Sequence, residues 1–307
     1  MTLPKIPRSV LALAALAVAG IYFFVTAPAD LDDASATRDV PVETLFRLLD
    51  AENASIRAIY TGEIVTPGLK IGLKYREDWK TKDIHAGPLP ALLLRETANR
   101  LQQRVPEVNL FLGSTYPIEA SNMFKGAQST YFAAIERDRK PRFFRDESTG
   151  RYTAMFPDIA SAPACVSCHN DHAKSPRKDW KQNDVMGATT WSFARKTLST
   201  DEVIEILAAY RASAMDAYGA YLKKSASFDA ATRPQLGARW PKEGLYLPDA
   251  EAFRKRVEEK NSIASLNLLL QTRAAADRVD AQRRVAKGAA PSPGGGAGAP
   301  DNAGTAP

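Results

Sequence analysis

Metal-ligating side chains are scarce in this sequence: two cysteines and three histidines among 307 residues. Both cysteines and two of the histidines fall between Cys165 and His172. A zinc centre would have to take Cys165, Cys168, His169 and His172, a spacing far tighter than the two-knuckle patterns that let a tetrahedron close. After residue 195 there is neither a second apolar run able to cross a membrane nor a nucleotide-binding glycine motif, so no cytoplasmic output module is visible. A large excess of one charge is also missing. The net charge is +6, and the basic runs Arg254-Lys255-Arg256 and Arg283-Arg284 read as solvated helix faces, so no nucleic-acid partner is expected.

What is present centres on Cys165-Val166-Ser167-Cys168-His169. Cys-x-x-Cys-His is the attachment signature of c-type haem. Two thiols three positions apart can each add to a vinyl group on one edge of the porphyrin, and the next residue then lies under the ring with its imidazole toward the iron. Cys165 and Cys168 are therefore the expected thioether anchors of one covalent haem c, and His169 its proximal ligand. A thioredoxin-like redox pair needs only the two cysteines and leaves His169 unexplained. Buried structural cysteines fit poorly with the polar Asn170, Asp171 and His172.

The first stretch bears on compartment. Lys5 and Arg8 precede an apolar run from Val10 to Ala27, and Asp30, Asp32 and Asp33 follow it. Eighteen helical residues reach about 27 Å, just enough to span a bilayer, and the charge asymmetry places the body of the chain outside. We read residues 1–29 as an uncleaved anchor in a bacterial inner membrane, facing the periplasm, since the apolar run is longer than a usual signal core and carries bulky Ile21-Tyr22-Phe23-Phe24 close to the cleavage-like Ala27-Pro28-Ala29. The alternative is a cleaved signal, because Ala27-Pro28-Ala29 offers small residues at the cleavage positions and would leave a periplasmic protein. Export agrees with covalent haem.

Along the chain, Val42, Leu45, Leu48, Leu49, Ile56 and Ile59 predict a helix over residues 40–60, with Glu52 and Asn53 standing where the period calls for apolar residues. Leu92, Leu93, Leu94, Leu101 and Val105 predict another over 91–105; 108–115 reads as a strand and 123–137 as a helix. Residues 141–156 read as a β-hairpin around Ser148-Thr149-Gly150, followed by a haem-carrying loop and a strand over 185–194. The expected fold is α+β, a small antiparallel sheet with helices packed on one side. A capping box at Ser199 and Glu202 opens a helical extension over 197–287, which either packs on the domain or presents a docking surface; helical pieces are expected over 249–260 and 262–285. The Gly, Ala and Pro tail, 288–307, is expected to be disordered.

The runs Asp158 to Asn170, Ser175 to Lys181 and Asp184 to Ala188, with Gly68-Leu69-Lys70, Glu77-Asp78-Trp79 and Ala86 to Pro90, resemble the family of single-haem c-type extracytoplasmic sensor domains with a PAS-like fold. The resemblance covers about residues 40–195. It implies redox or gas sensing, here through a separate periplasmic or membrane redox or signalling protein. The other reading is an electron-transfer cytochrome without a sensing role. A peroxidase would need a distal acid–base residue beside an open iron, a part His85 could fill; an enzyme is not expected. For the sixth iron ligand, His172 lies too close in sequence to reach the opposite face, and both thiols are consumed. Among His85, Met123, Met155 and Met186, His85 in a Gly-Pro loop and Met186 in the segment returning from the motif are the candidates, His85 slightly preferred, with an empty site close behind.

Overall fold

The computed structural model describes residues 40–261. The expected membrane segment, the helix over 262–285 and the tail lie outside these residues.

A two-residue strand β1 (Val40–Pro41) leads into helix α1 (Val42–Ile59), whose apolar stripe buries Leu45, Phe46, Leu49, Ile56 and Ile59. The helix continues through a π-helical turn, Tyr60–Val65, into α2 (Thr66–Lys70), and stops at Gly72, whose φ of 99° suits a residue without a Cβ. Short β2 (Tyr75–Arg76) and β3 (Gly87–Pro88) pair in parallel, and α3 (Pro90–Arg104) follows with Pro90 in its first turn.

Strands β4 (Asn109–Gly113), β5 (Arg142–Asp146), β6 (Arg151–Ile159) and β7 (Val185–Phe193) form one antiparallel sheet in the order β4-β7-β6-β5. The predicted hairpin is β5 and β6, registered from Arg142 opposite Met155 to Asp146 opposite Arg151. Helix α4 (Ala127–Asp138) begins four residues later than the apolar pattern suggests, because Gly126 at φ 55° breaks the chain there and Met123 instead bridges Ser114.

Helices cover both faces of this sheet rather than one. Ala154, Phe156, Trp191 and Phe193 join α1 and α3 in the main core, whereas Met155 and Ala188 meet Phe132 and Ile135 of α4 behind it. The period-2 alternation of β6 sends consecutive residues to opposite faces, and both are apolar.

Beyond β8 (Thr197–Leu198), which pairs with β1, the Ser199 hydroxyl accepts from Glu202 N–H and the Glu202 carboxylate accepts from Ser199 N–H, opening α6 (Thr200–Ser225). Its aromatic face is buried in the main core: Tyr218 meets Tyr60 and Tyr221 meets Tyr75 edge to face, at 6.4 and 6.2 Å between centroids. β9 (Gln235–Gly237) and β10 (Tyr246–Pro248) pair in parallel, and residues 250–261 are helical, with Phe253 stacked on Tyr218.

Candidate haem-attachment site

The motif, expected in a loop, is helical: α5 (Pro163–Asp171) starts with Ala162 extended at its N-cap and Pro163 at the first position, where a missing N–H costs nothing and the fixed φ is already helical. It ends where His172 turns to extended backbone. Cys165 and Cys168 are thereby one turn apart on one helix face, both free thiols, the first half-buried and the second exposed in its surroundings. Although the Cys168 residue as a whole is exposed, partial desolvation of its thiol, then the nearby Cys165 and Asp171, hold it above its ordinary pKa.

His169 follows in the last turn. Its Nδ1 is buried with no hydrogen-bond partner, and its ring meets the Trp180 indole edge to face, 6.5 Å between centroids at 86°. Burial pushes the imidazole below its ordinary pKa; the charge of Asp158 opposes that and His172 adds to it. Trp180, 3 % exposed, is fixed by neighbours rather than by regular structure. The Asn170 amide accepts from Trp180 N–H at 2.9 Å and donates to its carbonyl at 3.0 Å, and the Arg177 guanidinium covers the ring at 4.0 Å. The Trp180 indole N–H, too, is buried without an acceptor.

The strands aim these parts. β6 runs into α5 through buried Ala160, and the β6–β7 register slips between Asp158, opposite Gly187, and Ile159, opposite Val185. Met186 is the residue left over, a bulge of the kind that re-aims a side chain. It packs with Ala160 and Trp180 against Cys165 and Val166, and its carbonyl accepts from Ser114 Oγ at 2.6 Å. On the other side Arg57 of α1 reaches Asp158, Nη2 to Oδ1 2.7 Å.

The sequence-derived residues thus divide. Cys165, Cys168, His169 and Met186 come together. His85 does not join them: its ring stacks on Phe228 at 5.2 Å and its Nδ1 faces Thr232 Oγ1 at 3.2 Å and Asp229 Oδ2 at 3.3 Å, on a cleft of ≈ 200 Å³. His172 pairs through Nε2 with Glu77 at 3.4 Å while Nδ1 accepts from Lys174 N–H. Among the described residues no group of three or more His, Cys, Asp or Glu side chains converges as a metal site. Arg57, Asn170 and Trp180 received no role from the sequence. An aromatic side chain amid Lys178, Asp179 and Lys181 is a local sign of an anchor; Arg57 carries no such sign.

The residues present fit a covalently held haem: paired free thiols on one helix face, a following imidazole with an unmet buried nitrogen, and an adjacent unmet indole donor. A mixed helix-and-sheet domain built around such a motif defines a c-type cytochrome-like domain. The sequence profile of the Tll0287-like family matches residues 35–194, more than half of the chain, and the chain belongs to that family. No curated protein and no solved structure matches it.

Proposed function

We propose that this protein is an exported, membrane-anchored monohaem c-type protein that serves redox or gas sensing through a separate periplasmic or membrane partner. Cys165 and Cys168 would hold the haem by thioethers and His169 would bind its iron. The observation that carries this reading is the Cys-x-x-Cys-His run folded as one helical turn, with His169 half-buried beside Trp180. Bound there, haem supplies a one-electron couple and a site for diatomic ligands. The chain's own residues would position it: Pro163 starts the helix, Asn170 ties the helix end to residue 180, and Trp180 packs edge-on beside the imidazole. The Val10 to Ala27 run, flanked by Lys5 and Arg8, would keep the domain at the membrane.

Mass spectrometry of protein made with a cytochrome c maturation system tests the reading: one haem added, resistant to acid acetone, is expected, and the bare polypeptide mass overturns it. Fractionation should leave the protein with membranes after salt washing, and soluble protein beginning at Asp30 overturns the anchor.

One observation favours electron transfer without sensing. Met186 is packed against the motif helix with Trp180, Cys165 and Val166, and if its thioether were to bind the iron it would exclude a gas. The reduced spectrum with and without CO separates the two, since ready CO binding supports sensing and an unchanged Soret band supports transfer.

A further inference from the structure

We propose that the cleft at His85 binds a small zwitterion of the α-amino acid class. The site goes beyond the function proposed above and does not depend on it.

The cleft, ≈ 200 Å³, opens between the segment that runs from Gly72 to His85 and the chain just after α6, which contributes Phe228 and Thr232. Those two residues lie beyond the 35–194 stretch matched by the family profile, so the matched domain supplies only part of the walls. Pockets for drug-sized ligands run from about 300 to 1,000 Å³, which makes the occupant of this one a smaller molecule. Its two walls are tied to each other. Lys224, in the last turn of α6, donates through Nζ to the carbonyls of Thr81 at 2.7 Å and Lys82 at 3.0 Å, and the buried Phe228 ring stacks on His85 at 5.2 Å. The Arg233 Nε in turn donates to the Phe228 carbonyl at 2.9 Å. A cleft held from both sides is formed before its ligand arrives, which spares binding the cost of ordering it.

The lining divides by chemistry. Leu73 and Phe228 are buried and apolar, whereas Lys74 and Asp83 are exposed and carry opposite charges. Among the described residues neither charge has an ion-pair partner, and the two do not pair with each other. Arg76, also in the lining, is already matched: its guanidinium forks onto Asp78, Nε to Oδ1 at 2.7 Å and Nη2 to Oδ2 at 2.8 Å. His85 adds an acceptor. Its Nδ1 stands 3.3 Å from Asp229 Oδ2 and 3.2 Å from Thr232 Oγ1, and an ionised carboxylate can only accept, so Nδ1 carries the proton and Nε2 of the neutral ring offers a lone pair. Among the described residues Nε2 has no partner. An α-amino acid answers all of these groups: its ammonium suits Asp83 and His85 Nε2, its carboxylate suits Lys74, and its side chain suits the apolar floor. A plain carboxylate would set a like charge against Asp83, and a plain amine would set one against Lys74.

Isothermal titration calorimetry of the full chain tests the site with glycine, L-alanine and L-valine, and with two analogues of valine that each lack one charge: 3-methylbutanoate, without the ammonium, and isobutylamine, without the carboxylate. At least one of the amino acids should bind, and both single-charge analogues should bind about tenfold or more weakly than L-valine. D83N should erase the preference for L-valine over 3-methylbutanoate, and K74M the preference over isobutylamine. Thr232→Trp, which fills the cleft, should abolish binding while far-UV circular dichroism stays as in wild type. Failure of all three amino acids to bind overturns the proposal, as does either analogue matching L-valine in the wild type, or binding that D83N and K74M leave intact. If a variant does not fold, the wild-type protein decides through the ring nitrogens of its three histidines: the amino acid that binds should move the His85 Nε2 resonance, and a resonance that stays in place at saturation puts the ligand elsewhere and overturns the site.

Discussion

Asp50 offers a test of how the interior beside the site treats charge. It lies on α1 two turns before Arg57, so the two share a helix face, and Asp158 of β6 faces the same place. Burial pushes its carboxyl up, Arg57 pulls it down and Asp158 pushes it up again, leaving it at about 7 against an ordinary 3.8. Folding therefore favours the protonated form. The contribution is fully present below the unfolded value near 4 and is lost as pH rises to about 7, because the unfolded chain ionises first. At 1.36 kcal/mol per tenfold change, the ceiling on this loss is about 4 kcal/mol, with relaxation and water entry reducing it. Asp50→Asn removes the titration and keeps the shape. Urea unfolding of wild type and variant, followed by circular dichroism from pH 4 to 8, should give near-equal stabilities at pH 4 and a growing advantage for the variant that levels off above pH 7. An advantage that does not depend on pH, or a variant less stable than wild type at pH 8, refutes the account: the first would mean that Asp50 is not buried as an acid, the second that its attraction to Arg57 outweighs burial.

Further outcomes follow from single contacts. Arg211→Met should cost about 3 kcal/mol in the same unfolding assay, because Glu52, 2 % exposed, would lose the guanidinium that holds Oε2 at 2.8 Å and remain a buried charge. Gly187→Ala should cost about 2 kcal/mol and lower the yield of folded protein, since a Cβ there would stand 2.4 Å from the Gly113 carbonyl oxygen, a backbone atom with little room to retreat. Ser199→Ala should cost about 1 kcal/mol by removing the acceptor for Glu202 N–H at the start of α6. Met186→Ala and His85→Ala, compared by the Soret band and the methionine-to-iron charge-transfer absorption, separate the sixth-ligand candidates: the first should change the spectrum and the second should not.

Where the sequence could be read, the signal was local. The hairpin, the strand after the motif and the capped start of α6 each follow from periodicity or a cap within a few residues, and they form where those signals put them. Glu52 and Asn53 show the limit. They interrupt the apolar stripe of α1, yet each is 2 % exposed, because Glu52 is met by Arg211 and Asn261 and Asn53 accepts from Tyr210 Oη at 3.0 Å. The partners lie more than 150 residues away on α6 and in the helical stretch 250–261, so a local pattern shows only an interruption. The second layer of helix behind the sheet escaped for a related reason: β6 is apolar on both faces, and such a strand demands two covers without naming them.

The candidate site divides along the same line. Cys165, Cys168 and His169 lie within five residues, so their spacing could be read without the fold, although the helix that carries them was expected to be a loop. What surrounds them is not local in sequence. Met186 reaches the motif because one residue is inserted in the β6–β7 register, a single backbone event that no side-chain pattern announces. Arg57 reaches Asp158 from a helix that precedes it by about a hundred residues, and the unmet Nδ1 of His169 is visible only once every neighbour has been placed. Under the proposed reading the motif would name the residue that binds iron, while the groups around it are recruited by tertiary packing. Substitutions in the motif should therefore change haem content itself, whatever they leave of the surrounding packing.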